Sequence, residues 1–126
     1  MIIGDVKVFP SQVEEVLAST PRDDDALILR GNITLQEHKD PKLAIADLRS
    51  VLRDQPNAIG VMRSLARAHV ANGEPELAAE ILRRALEASP NNAAVRLDLA
   101  QLLAETGAAS QAKPLIDDLA REQPND

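Results

Sequence analysis

A chain of 126 residues with 44% hydrophobic and 27% charged residues and a net charge of −6 has the make-up of one folded soluble domain, not of a disordered chain. The absence of cysteine excludes disulfides, thiolate nucleophiles and cysteine-ligated zinc. Phe9 is the single aromatic residue; without stacking platforms, and with an acidic balance, nucleic acid is not an expected partner.

No apolar run approaches the roughly 18 residues of a membrane span, and the opening Met-Ile-Ile-Gly-Asp-Val lacks the basic start of a signal peptide. In chain order, Val6-Lys7-Val8-Phe9 carries a faint strand alternation. Ser11-x-x-Glu14 then forms a capping box that suits a helix start. Helices are predicted over 25–37 and 42–54, with the turn Glu37-His38-Lys39-Asp40 between them. That turn lacks glycine and holds one extra residue, unless the insertion lies in Asp23-Asp24-Asp25. Over 58–72, Val61, Met62, Leu65, Ala66, His69 and Val70 recur at steps of three and four, the mark of one helical face. Gly73 suits a left-handed C-cap, and Pro75 suits the first turn of a following helix. Leu77, Ala78, Ile81, Leu82, Ala85 and Leu86 form that helix's apolar face, which Pro90 ends. The same grammar covers 92–106 and 110–122, with Gly107 between.

The pattern is periodic. Pro21, Pro56, Pro90 and Pro124 are spaced 35, 34 and 34 residues apart, and Ala44, Ala78 and Ala112 are 34 apart. A fixed period of this length marks an array of like units. In these residues the chain resembles the tetratricopeptide repeat family. Met62, Leu65-Ala66, His69, Gly73, Ala78, Leu82, Ala85 and Pro90 fall in the family's spacing. So do Leu99-Ala100, Leu103, Gly107, Ala112, Ile116, Leu119 and Pro124, and so do Leu27, Arg30-Gly31, Ala44, Leu48, Val51 and Pro56. Aliphatic residues stand where the family has aromatics, Arg96 occupies a normally apolar site, and Leu119 replaces the usual Ala.

The resemblance implies an all-α fold, a right-handed α-solenoid of about seven helices stacked as antiparallel pairs. Residues 1–22 are then the second helix of a truncated preceding repeat, and 23–57, 58–91 and 92–126 are three repeats of one solenoid. Aligned to the same marks, Gly4-Asp5 and Pro21 bracket that leading helix, 6–19, with Pro10 delaying its start to near Ser11. A chain that opens mid-repeat is expected to be a piece of a longer array.

Little in the chain suggests catalysis. No metal-ligand set, phosphate-cradling loop or nucleophile–base pair is present, so no catalytic residue, metal or cofactor is expected. His69 takes a site where the family usually has Tyr and reads as a hydrogen-bonded packing histidine; His38 reads as solvent-facing. Asp23-Asp24-Asp25 fits helix capping better than calcium binding. Glu14-Glu15 and Asp117-Asp118 read as solvated faces, and Arg83-Arg84 as partners of Glu80 and Glu87.

The family's concave groove, lined by first helices, is the expected binding surface. Its polar positions here are Asn32, Gln36, Arg63, Arg67, Gln101 and Glu105. Arg63 and Arg67 are four residues apart, so they either hold a partner carboxylate, pair with neighbouring acids such as Glu105, or simply remain solvated. Of the positions that form a chaperone-tail clamp in some family members, Ile28, Asn32, Ser64, Ala94 and Asp98, only Asn32 fits. A chaperone co-factor role is therefore not expected.

The resulting expectation is a non-enzymatic interaction scaffold that binds a protein or peptide bearing an acidic group or C-terminal carboxylate. Two alternatives stay open. One is a homodimer through an uncapped C-terminal end, with Leu115, Leu119 and Leu102 or Leu103 partly bare. The other is a tether for envelope export or polysaccharide assembly, since the repeat texture resembles bacterial multi-repeat proteins. The compartment is cytoplasmic by default, or periplasmic if a signal precedes this segment.

Overall fold

The computed structural model describes residues 2–3, 6–7 and 10–122. A short antiparallel hairpin pairs β1 (Ile2–Ile3) with β2 (Val6–Lys7). Seven helices follow among the described residues: α1 (Pro10–Ser19), α2 (Asp24–Gln36), α3 (Pro41–Asp54), α4 (Ile59–Ala71), α5 (Pro75–Ala88), α6 (Ala93–Glu105) and α7 (Ala109–Glu122). The leading helix starts at Pro10, one residue before the start expected near Ser11, where the missing N–H of proline costs nothing; Val6–Lys7, at the head of the faintly alternating stretch, is strand and not part of that helix. The capping-box residue Ser11, Phe9, Gly4-Asp5 and the closing Pro124 have side chains or backbone outside the described residues.

The helices stack as α2–α3, α4–α5 and α6–α7 hairpins, joined by α3–α4 and α5–α6 contacts, with α1 against α2. This is an all-α solenoid of antiparallel pairs. First helices form one face and second helices the other. Where each second helix crosses its first, the side chain must be small: Ala44, Ala78 and Ala112 are all buried there. Leu48, Val51 and Val95 are the large side chains fully enclosed between layers. Truncating such a leucine to alanine costs about 2–5 kcal/mol. Gly31 sits on Leu48, whose Cγ would lie 3.1 Å from an added Cβ.

Local polar groups set the boundaries. Asp23 accepts from the Ala26 amide at 2.9 Å and Asn92 from the Val95 amide at 3.1 Å, satisfying helix-start donors. Gly73 and Gly107 adopt φ of 75° and 83°. After them Glu74 N–H donates to the His69 carbonyl and Ala108 N–H to that of Leu103, at 2.8 and 2.7 Å, closing Schellman turns.

His38 takes the same place at φ 54°, and Lys39 N–H donates to the Thr34 carbonyl at 3.1 Å. The insertion therefore lies in this turn, and Asp23-Asp24-Asp25 holds none. Residues 37–40 separate α2 from α3, whereas three residues separate α4 from α5 and α6 from α7. The extra residue is Asp40, which caps α3 by accepting from the Lys42 and Leu43 amides. Among the described residues no helix is long and apolar enough to cross a membrane.

Candidate functional site

The four sequence-predicted residues on α4 and α6 come together. Arg63, Arg67, Gln101 and Glu105 line one shallow pocket of about 240 Å³ with an apolar floor of Ala66, Leu82 and Leu102. Val70, at its edge, is exposed. Asn32 and Gln36 lie on α2 outside this pocket. Asn32 is half-buried, its Oδ1 enclosed without a hydrogen-bond partner, and Gln36 is exposed.

The two arginines have different tasks. Arg63 donates from Nε and Nη2 to the Asp98 carboxylate at 2.5 and 3.2 Å. That hydrogen bonding, opposed by partial burial and aided by Coulomb attraction, raises the guanidinium pKa above its ordinary value. Arg67 donates from Nη2 to Ser64 Oγ at 3.0 Å and has no carboxylate partner among the described residues. The acid that neutralises Arg63 is thus Asp98, not Glu105. Asp98 lies 35 residues away on the neighbouring first helix.

Two further groupings escape a repeat-by-repeat reading. Arg30 on α2 donates from Nε and Nη2 to Asp47 on α3 at 2.7 and 2.8 Å, and from Nη1 to both Glu14 oxygens on α1 at 3.3 Å. The Asp47 hydrogen bond, against desolvation, holds the Arg30 pKa above its ordinary value. On the opposite face, an open groove of about 990 Å³ runs between α3 and α5 over α4. At one end His69, buried, contacts Glu74 Oε1 through Nδ1 at 3.1 Å, and Asn72 Nδ2 donates to the same oxygen at 2.8 Å. The signal for this groove was present in Lys42, Arg49 and Arg53, spaced to share one stripe of α3.

Other candidates are structural. His38 is exposed. Arg96 bends back to donate to the Pro90 carbonyl, which explains a cation at a normally apolar position. Arg83 donates to Gln111 instead of pairing with Glu80 or Glu87. Leu102 and Leu103 are buried, Leu115 and Leu119 half-buried, and Ile116 is the α7 side chain left 52% exposed. Among the described residues no three His, Asp or Glu side chains are grouped to hold a metal.

Residues 35–85 and 69–126 match the sequence profile of the tetratricopeptide repeat. Among solved structures, "MamA AMB-1 P212121" superposes with a TM-score of 0.77 at 22% identity, over 93% of this chain and 63% of that one. "MamA MSR-1 C2" gives 0.74 at 23% identity, over 86% and 62%. An arginine-to-glutamate mutant of MamA gives 0.66 at 24%, over 86% and 78%. The chain thus spans under two thirds of the length of the first two, and at these identities the likeness is one of fold. A search of curated protein sequences finds no match. With the profile matched across most of the chain, from residue 35 to residue 126, this chain belongs to the tetratricopeptide repeat family.

Proposed function

We propose that the first-helix face binds a partner segment through the pocket between α4 and α6, with Arg67 receiving an acidic side chain or C-terminal carboxylate. The family's fold is generally a non-enzymatic protein–protein interaction module, and that coarser role applies to this chain. The observation that carries the finer reading is the convergence of Arg67, Gln101 and Glu105 over an apolar floor. Asp98 already occupies Arg63, so Arg67 is the cation at hand for charge-assisted hydrogen bonding. Gln101 and Glu105 offer acceptors to a peptide's N–H groups, and the apolar floor takes a side chain. Asn32 and Gln36 would extend contact toward α2.

A library of peptides with free C-termini, selected on the wild-type chain and re-measured on Arg67→Ala, tests this. Loss of about 1–3 kcal/mol is expected for the removed charged hydrogen bonds. Peptides that bind both proteins equally would take Arg67 out of the site.

A second reading rests on Ile116, exposed beside half-buried Leu115 and Leu119 on α7. These residues would support a homodimer through the C-terminal helix. Sedimentation equilibrium decides it: a mass independent of concentration excludes the dimer, whereas a reversible dimer abolished by Ile116→Lys or Leu119→Lys supports it.

A further inference from the structure

The chain carries 20 acidic against 14 basic side chains, yet the groove between α3 and α5 reverses that balance. Lys42, Arg49 and Arg53 line one wall and Arg84 the other, against only Glu74 and Glu80. Glu74 is already engaged by Asn72 and His69. None of the four cations forms an ion pair or hydrogen bond among the described residues, and all four are exposed. Arg49 attracts Glu74 through space, but four exposed cations against two carboxylates leave the groove net positive in an otherwise acidic protein.

Their placement is regular. Lys42, Arg49 and Arg53 stand seven and four residues apart, which at 3.6 residues per turn aligns them on one stripe of α3, about 16 Å long at 1.5 Å per residue. Ile45 and Leu52 lie along the same wall, and Leu77 and Ile81 along the facing wall of α5. Met62 and Leu65 of α4 close the floor. The surface is therefore an apolar trough between two helices with a cationic rim on both sides.

We propose that this second-helix face docks an amphipathic acidic helix of a partner protein, its apolar stripe in the trough and its carboxylates against Lys42, Arg49, Arg53 and Arg84. A helix matches because both walls are helical stripes, and about three turns span the cation row. Charge complementarity sets register and excludes basic helices. The site is distinct from the α4–α6 pocket, so two partners can be held on opposite faces of one array.

The test uses a fluorescein-labelled, end-capped peptide of about four turns with Leu at helical spacing and Glu on both flanks, read by anisotropy. Its counterpart carries Lys in place of Glu. The acidic peptide is expected to saturate the wild-type chain, to weaken at least about tenfold on Arg49→Glu/Arg53→Glu, and to be unaffected by Arg67→Glu on the other face. The basic peptide is expected to gain affinity on the doubly reversed variant, a result that a merely unfolded protein could not give. Circular dichroism confirms helix content of each variant.

No saturable binding to the wild-type chain overturns the proposal, as does equal binding to the double variant. Loss on Arg67→Glu would move the peptide to the other face and overturn it too. Self-association of the wild type that disappears in Arg49→Glu/Arg53→Glu would make a second copy the occupant, again overturning the proposal. So would flotation with phosphatidylserine vesicles in the absence of peptide binding.

Discussion

The Arg30–Asp47 pair offers a sharp test of how a charge survives inside a helical stack. The Asp47 side chain is 4% exposed and Arg30 26%. One repeat further on, the register places Leu65 and Ile81 at these two sites, and both are buried. Replacing Asp47 by Ala removes two charge-assisted hydrogen bonds of 2.7 and 2.8 Å and leaves the guanidinium with Glu14 alone. Breaking a buried pair costs about 3–5 kcal/mol, and because Arg30 is partly wet the lower end, about 3 kcal/mol, applies. For a chain of this length that is a fall of roughly 10 °C in melting temperature. The double change Arg30→Leu/Asp47→Ile imports the next repeat's apolar contact. It is expected to lie within about 1 kcal/mol of wild type or to be more stable, since a well-packed apolar pair escapes the desolvation of two charges. Urea titrations followed by circular dichroism at 222 nm measure all three proteins, Trp and Tyr being absent. A loss below about 1 kcal/mol for Asp47→Ala, or a double variant as unstable as the single one, would refute the reasoning.

His38→Gly is expected to stabilise the chain by about 1 kcal/mol, because φ of 54° burdens a residue with a Cβ and not glycine; thermal melts read it. Glu74 has its pKa lowered by the Asn72 hydrogen bond first and by His69 next. A depressed acid contributes stability that is full above its unfolded value near 4.5 and is lost as pH falls through the lower folded value. Denaturant midpoints of wild type and Glu74→Gln are therefore expected to converge on acidification below that value, and parallel curves would remove Glu74 from the pH dependence.

The helical array was legible because its markers are backbone requirements. Small residues at Ala44, Ala78 and Ala112, left-handed Gly73 and Gly107, and helix-ending prolines recur whatever the side chains around them do. Four of the six candidate residues come together for the same reason: register alone brings Arg63 and Arg67 opposite Gln101 and Glu105. What register does not carry is side-chain reach between repeats. Asp98 reaches Arg63 across 35 residues, and a family pattern that expects apolar residues offers no reason to join Arg30 to Asp47. The groove between α3 and α5 is not legible from α5 by itself, where Arg83-Arg84 reads as a partner of Glu80 and Glu87. Only the stacking of two such helices turns three spaced cations into a wall. His38 shows the reverse case, a turn whose geometry persists after its glycine is gone.

Among the described residues each helix touches chiefly the helices next to it in sequence, so the buried side chains form a layer strung along the array instead of a ball at its centre. Drawn out by its ends, it would shed hairpins one after another, each step breaking one local interface and leaving the remainder intact. It would yield as a series of small, recoverable extensions under load.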